Sequence, residues 1–83
     1  MNISTLETIH SLLKTNVKST EKALEFVRKS YYDAQTLADE AEGEAVEELR
    51  KTAAAKKRFY ESIRKETSLA QNALEDFEQH DFN

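Results

Sequence analysis

A single glycine, Gly43, divides two uninterrupted heptad patterns of nearly equal length, and no proline interrupts either of them. Helix is the regular structure that brings residues three and four apart onto one face, so this spacing commits both halves of the chain to long amphipathic helices. In the first half the apolar stripe reads Ile3, Leu6, His10, Leu13, Val17, Thr20, Leu24, Val27, Tyr31, Ala34, Ala38 and Ala41. After Gly43 it restarts one residue out of phase as Val46, Leu49, Ala53, Lys56, Tyr60, Ile63, Thr67, Ala70, Leu74, Phe77 and Asp81. Ser4 and Glu7 have capping-box spacing, in which hydroxyl and carboxylate each satisfy an amide of the first helical turn. The expected fold is all-α: one domain over residues 1–83, with helix 1 at about 4–41, a turn at 42–44 and helix 2 at about 45–80. Each helix would be roughly 55 Å long at 1.5 Å per residue.

Folding the chain at Gly43 tests the hairpin internally, because opposed core residues of an antiparallel pair must have a constant sum of residue numbers. They do: Ala41 faces Val46, Val27 faces Tyr60, Leu24 faces Ile63, Val17 faces Ala70 and Leu13 faces Leu74. Ala34 opposite Ala53 lets the helices approach closely near the turn. Four layers are polar or mixed: Thr20 with Thr67, Tyr31 with Lys56, His10 with Phe77 and Leu6 with Asp81. Such layers set register at a cost in stability, and a lysine in one can keep its ammonium in water. A glycine costs only about 1 kcal/mol inside a helix, so one continuous helix with a heptad skip at Gly43 is the competing reading.

A chain of 83 residues is near the lower limit for a self-sufficient core. Charged residues make up 34 % of it, and no stretch approaches the roughly 18 apolar residues of a spanning helix. Residues 1–19 lack the cationic start and apolar run of a signal peptide, so a cytoplasmic protein is expected, or one exported by a route that reads folded helices. The absence of cysteine excludes disulfides, thiolate metal sites and thiol redox chemistry. A formal charge of −4 argues against nucleic acid as partner.

The two flanks of the expected seam differ. On one, Glu7, Lys14, Glu21, Arg28, Gln35 and Glu42 lead into Arg50, Lys57, Arg64, Gln71 and Glu78, as a solvated edge should. On the other, heptad g positions read Ile9, Asn16, Ala23, Ser30 and Leu37, then Ala45, Thr52, Phe59, Glu66, Ala73 and His80, while c positions add Leu12, Phe26, Ala55 and Leu69. A second apolar stripe thus lies beside the first with nothing in the chain to cover it. Ile9, Leu12, Phe26, Leu37, Phe59 and Leu69 are the expected partner-binding residues. Burying each is worth roughly 1.5 to 3 kcal/mol before association costs. The occupant is either a second copy, giving a homodimeric four-helix bundle, or a larger helical protein partner. Membrane insertion is not expected, and the stripe's borders are not selectively basic as a membrane-surface helix would require.

Catalytic signatures are lacking: there is no phosphate-binding glycine loop, no cysteine nucleophile and no hydroxyl paired with a base. No cofactor is expected. Glu7 and His10 form one ExxH pair, an element that metal-binding bundles use in duplicate. With His80, Asp81 and Glu78 nearby at the open end, a homodimeric bundle holding a divalent metal through Glu7, His10 and His80 is an alternative. The acids Asp39, Glu40, Glu42, Glu44, Glu47 and Glu48 surround the turn without the ordered ligand spacing of a calcium loop. Lys14, Lys18 and Lys22, with the cations of residues 51–65, read as solvated faces with Glu25–Lys29, Glu47–Lys51 and Glu61–Lys65 pairs.

At the C-terminus Phe77 and Asp81 spell FxxxD. A short helical hairpin ending in an aromatic residue and an acid four positions later resembles the WXG superfamily and the helical partners of LXG toxins in type VII secretion. The resemblance implies hairpins that pair into four-helix assemblies and an export motif formed by Phe77 and Asp81. It covers the architecture and those two residues, and Ala41, Glu42, Gly43 and Glu44 stand where that family has Trp-x-Gly. Type III secretion chaperones and phage-type inhibitor hairpins share the size class without a selecting motif. The function expected from the residues is a non-enzymatic protein–protein interaction module of adaptor, chaperone or secretion-partner type.

Overall fold

The computed structural model describes residues 2–82. Helix α1 spans Ile3–Glu40 and helix α2 spans Ala45–Phe77, followed by a π-helical turn, Glu78–Phe82. Among the described residues there is no strand, and no helix is long and apolar enough to cross a membrane.

Helix α1 begins two residues earlier than the Ser4–Glu7 capping-box spacing implies. Asn2 is its N-cap, in extended conformation, and its side-chain oxygen accepts a hydrogen bond from the Thr5 amide at 2.8 Å. The Asn2 carbonyl accepts from the Leu6 amide at 3.1 Å, which starts the helical ladder. Asparagine caps as well as serine does, and capping here adds Ile3 and Ser4 to the helix. Ser4 lies inside the helix, where its carbonyl accepts from the Thr8 hydroxyl at 3.0 Å.

At its other end α1 stops at Ala41, whose backbone is extended. Gly43 follows with φ of +80°, a left-handed conformation that L side chains avoid. The connection between the helices is therefore residues 41–44, and the chain is not one continuous helix. Glu47 and Glu48 lie in the first turn of α2, where carboxylates complement the helix dipole; no basic residue occupies the last turn of α1.

The two helices lie antiparallel, in a body 64 Å long and 15 by 12 Å in section. Contacts along the seam fix the register. His10 stacks on Phe77 with ring centroids 6.0 Å apart, and the Thr67 hydroxyl reaches the Thr20 carbonyl at 3.2 Å. The buried residues are Val17, Val27, Ala34, Ala38, Ala53, Thr67, Ala70 and Phe77, all members of the heptad stripe. Ala34, Ala38 and Ala53 form a compact cluster near the turn with Leu49 packed against it. Small side chains dominate this core because two helices have only one line of contact to bury.

The structure departs from the expected seam at three positions. Lys56 carries its ammonium out of the layer it is expected to share with Tyr31. It is exposed, and its ammonium donates to Ser30 Oγ across the seam at 2.9 Å. An unpaired ammonium is too costly to bury, so the lysine stem leans outward and leaves the layer. Tyr31 instead stacks on Tyr60, one turn away, at 5.8 Å. Ile3 and Asp81 are exposed, because the seam thins at the open end. Among the described residues Glu25 pairs with Arg28 at 2.8 Å and Glu48 with Lys51 at 3.6 Å, at spacing three where spacing four is expected from the sequence.

Candidate interaction surface

The seam geometry determines what remains outside. Once heptad a and d positions face inward, g and c positions of both antiparallel helices fall on the same side. That side carries most of the large apolar side chains left in solvent: Leu12, Phe26, Leu37, Phe59 and Leu69, with Phe26 at 76 % exposure. Ile9, the remaining residue of the expected set, is half-buried. With Leu6, Phe77 and Asp81 it lines a shallow groove at the open end. A second shallow groove on the same side is lined by Asn16, Thr20, Glu66, Leu69, Ala70 and Ala73, so g residues of both helices do meet along one edge.

The opposite edge has different chemistry. Its groove is lined by Glu21, Leu24, Glu25, Arg28, Tyr60, Arg64, Thr67 and Gln71. Glu25 accepts through both carboxylate oxygens from Arg28, each at 2.8 Å, and this bond holds the guanidinium pKa above its ordinary value. Tyr32 lies over this edge with its ring 5.3 Å from Tyr31 and 6.4 Å from Tyr60. The sequence pattern missed this tyrosine cluster, because Tyr32 belongs to neither stripe and meets Tyr60 only after the seam has closed. The adjacent Tyr31 and Tyr32 are the only signal for it in the sequence.

Glu7, His10 and His80 do not converge. Among the described residues no three His, Asp or Glu side chains come close enough to hold a metal ion. His10 is committed elsewhere: its Nε2 lies 2.7 Å from Glu78 Oε2, and its ring lies against Phe77. Phe77 is buried, whereas Asp81 is exposed, so the two residues of the FxxxD spacing sit in different environments. The acids around the turn are exposed, as expected of a solvated tip.

Among the described residues the g/c side carries five exposed large apolar side chains, interspersed with the acids Asp33, Glu40, Glu48, Glu66 and Asp76. The chain matches no family model, no curated protein and no solved structure.

Proposed function

We propose that this chain is a non-enzymatic interaction module that covers its g/c face with another helical surface. The observation that supports the reading is an inversion of the usual order of burial. The larger apolar groups Leu12, Phe26, Leu37, Phe59 and Leu69 are exposed, while half of the buried set, Ala34, Ala38, Ala53 and Ala70, is alanine. Scattered exposed apolar residues are ordinary, but several of them repeated along one side of a hairpin support reading that side as an interaction surface. Covering the stripe with helices completes the arrangement of a four-helix bundle, in which each helix has two neighbours to pack against. Phe77 is occupied in the core, so the reading rests on this face and not on the FxxxD spacing.

The test is site-specific photocrosslinking in the native cell, with a benzophenone side chain at Phe59 or Leu69 on the face and at Gln71 on the back. Discrete adducts from the face positions, to this chain or to another protein, and none from Gln71 support the reading. Equal labelling of face and back, or none from the face, removes it.

A further inference from the structure

The borders of the g/c side carry a charge pattern that narrows what can cover it. Along each helix an f position precedes g as g precedes a, so f residues flank a g/c seam as g residues flank the a/d seam. Lys22 and Lys29 of α1 and Lys51, Arg58 and Lys65 of α2 are f residues, and all five are exposed. No f position of either helix is acidic; the others are threonine, asparagine or glutamine. Opposed residues in the seam share a height along the hairpin, as His10 with Phe77 and Thr20 with Thr67 do. By that register Lys22 is level with Lys65 and Lys29 with Arg58, one on each border, and Phe26 and Phe59 lie between these two levels. Lys56 adds a charge to the same stretch, because its ammonium is held toward the g/c side by Ser30, a g residue. Glu25, the expected partner of Lys29, gives both oxygens to Arg28 instead. Among the described residues Lys22, Lys29, Arg58 and Lys65 make no ion pair.

The acids of this side are distributed the other way. Over residues 22–37 of α1 and the opposed 50–65 of α2, the c, f and g positions hold one acid, Asp33. Glu66 lies at the edge of that stretch, Glu40 and Glu48 lie toward the turn, and Asp76 lies toward the open end. The side is therefore basic over a middle stretch of about 22 Å and acidic beyond it at both ends. Two hairpins facing each other about a twofold axis set antiparallel helices together, whether the axis runs along the helices or across them, and antiparallel helices meet with like flanks, f beside f. A second copy would thus bring cations or neutral side chains to these borders and no carboxylate. An anionic membrane fits no better, since Glu40, Glu48 and Asp76 would be set against headgroups of their own sign.

We propose that the occupant of the g/c side is an acidic amphipathic helix of another protein. Its apolar stripe lies over Phe26 and Phe59, and its flanking Asp or Glu residues pair with Lys22, Lys29, Arg58 and Lys65. The proposal rests on the reading of the g/c side as an interface and adds the charge of what binds there. Flanking charges of this kind set partner choice and the rate of encounter more than raw affinity.

The probes are fluorescein-labelled three-heptad peptides with leucine and isoleucine at a and d, carrying glutamate at e and g in one and lysine in the other. A third has the composition of the glutamate peptide, scrambled so that no apolar stripe remains. Fluorescence anisotropy at low salt is expected to show the glutamate peptide binding at least about tenfold tighter than the other two, with the advantage shrinking as salt rises. Phe59→Asp should weaken that binding by about tenfold as well. Lys22→Gln, Lys29→Gln, Arg58→Gln and Lys65→Gln together should bring the glutamate and lysine peptides to within about threefold of each other. The same four positions changed to glutamate should invert the order. Helical circular dichroism verifies folding of each protein, and the glutamine variant decides the matter if the glutamate one unfolds. Equal binding of the glutamate and lysine peptides to the unaltered chain, binding of neither, or a preference that survives the glutamine variant overturns the proposal. So does a scrambled peptide that binds as tightly as the patterned one, or a light-scattering mass of twice the 9.5 kDa chain that Phe59→Asp halves. Face-specific photoadducts alongside any of these results leave the interaction reading standing.

Discussion

The hydroxyl of Thr67, buried in the seam, donates to the Ile63 carbonyl of its own helix at 2.8 Å and reaches the Thr20 carbonyl of the opposite helix at 3.2 Å. One proton thus serves two acceptors, and one of these bonds ties α1 to α2 at a fixed height. Thr67→Val keeps the shape and removes the bond. Stability is expected to fall by about 0.5 to 1.5 kcal/mol, a melting temperature lower by roughly 4 to 8 °C per kcal/mol for a domain of this size. Thermal denaturation at fixed protein concentration measures it, and an unchanged melting temperature would mean that the cross-seam bond carries no net weight.

Ala53 is 2 % exposed and packs with Ala34 and Ala38. Ala53→Leu inserts a larger side chain into this buried cluster, and overpacking of this kind costs about 1 to 3 kcal/mol. Ala54→Leu, at the adjacent exposed position off the g/c side, is the control and should leave chemical denaturation nearly unchanged. Equal effects at both positions would contradict the close approach.

Gly43 has φ of +80° and nothing within 4 Å of where a Cβ would stand. The cost of Gly43→Ala is therefore conformational and not steric, about 1 to 2 kcal/mol. Gly43→Asn should cost less, since asparagine tolerates the left-handed region. Urea titration of the two variants checks the order, and alanine matching glycine would refute the conformational argument.

His10→Ala removes both the contact with Glu78 and the ring that covers Phe77. The expected effect is local. Amide exchange over residues 74–80 should accelerate by an order of magnitude or more, as fraying at the open end becomes easier, while residues 49–60 keep their protection. Uniform acceleration along α2 would show that the open end is coupled to the whole seam.

The seam was legible in the sequence because it depends on a repeated quantity. Every buried residue from Val17 to Phe77 occupies the stripe, and apolar spacing of three and four has no other reason to persist through so many turns. Positions that depend on a single local choice were less legible. The N-cap is settled between Asn2 and Ser4 by which amide finds an acceptor first, and both residue types serve. Lys56 has a seam position by spacing but not by solvation, since its charge outweighs its heptad place. The Tyr31–Tyr60 stack reflects ring size: the rings are large enough to meet across the seam from adjacent layers. The g/c stripe could be read as apolar and unpaired, and the structure adds the exposure of its members.

The alanine cluster beside the turn also bears on the order of folding. Ala38 and Ala53 are 15 residues apart in the chain, whereas His10 and Glu78 are 68 apart. Closing a loop costs more as it lengthens, so pairing should start at the tip and advance layer by layer toward the open end. The reverse path applies under load. Tension applied between the two helices at the open end would meet the His10–Glu78 contact first and the alanines last, so the hairpin should part as a zipper, at low and nearly constant force.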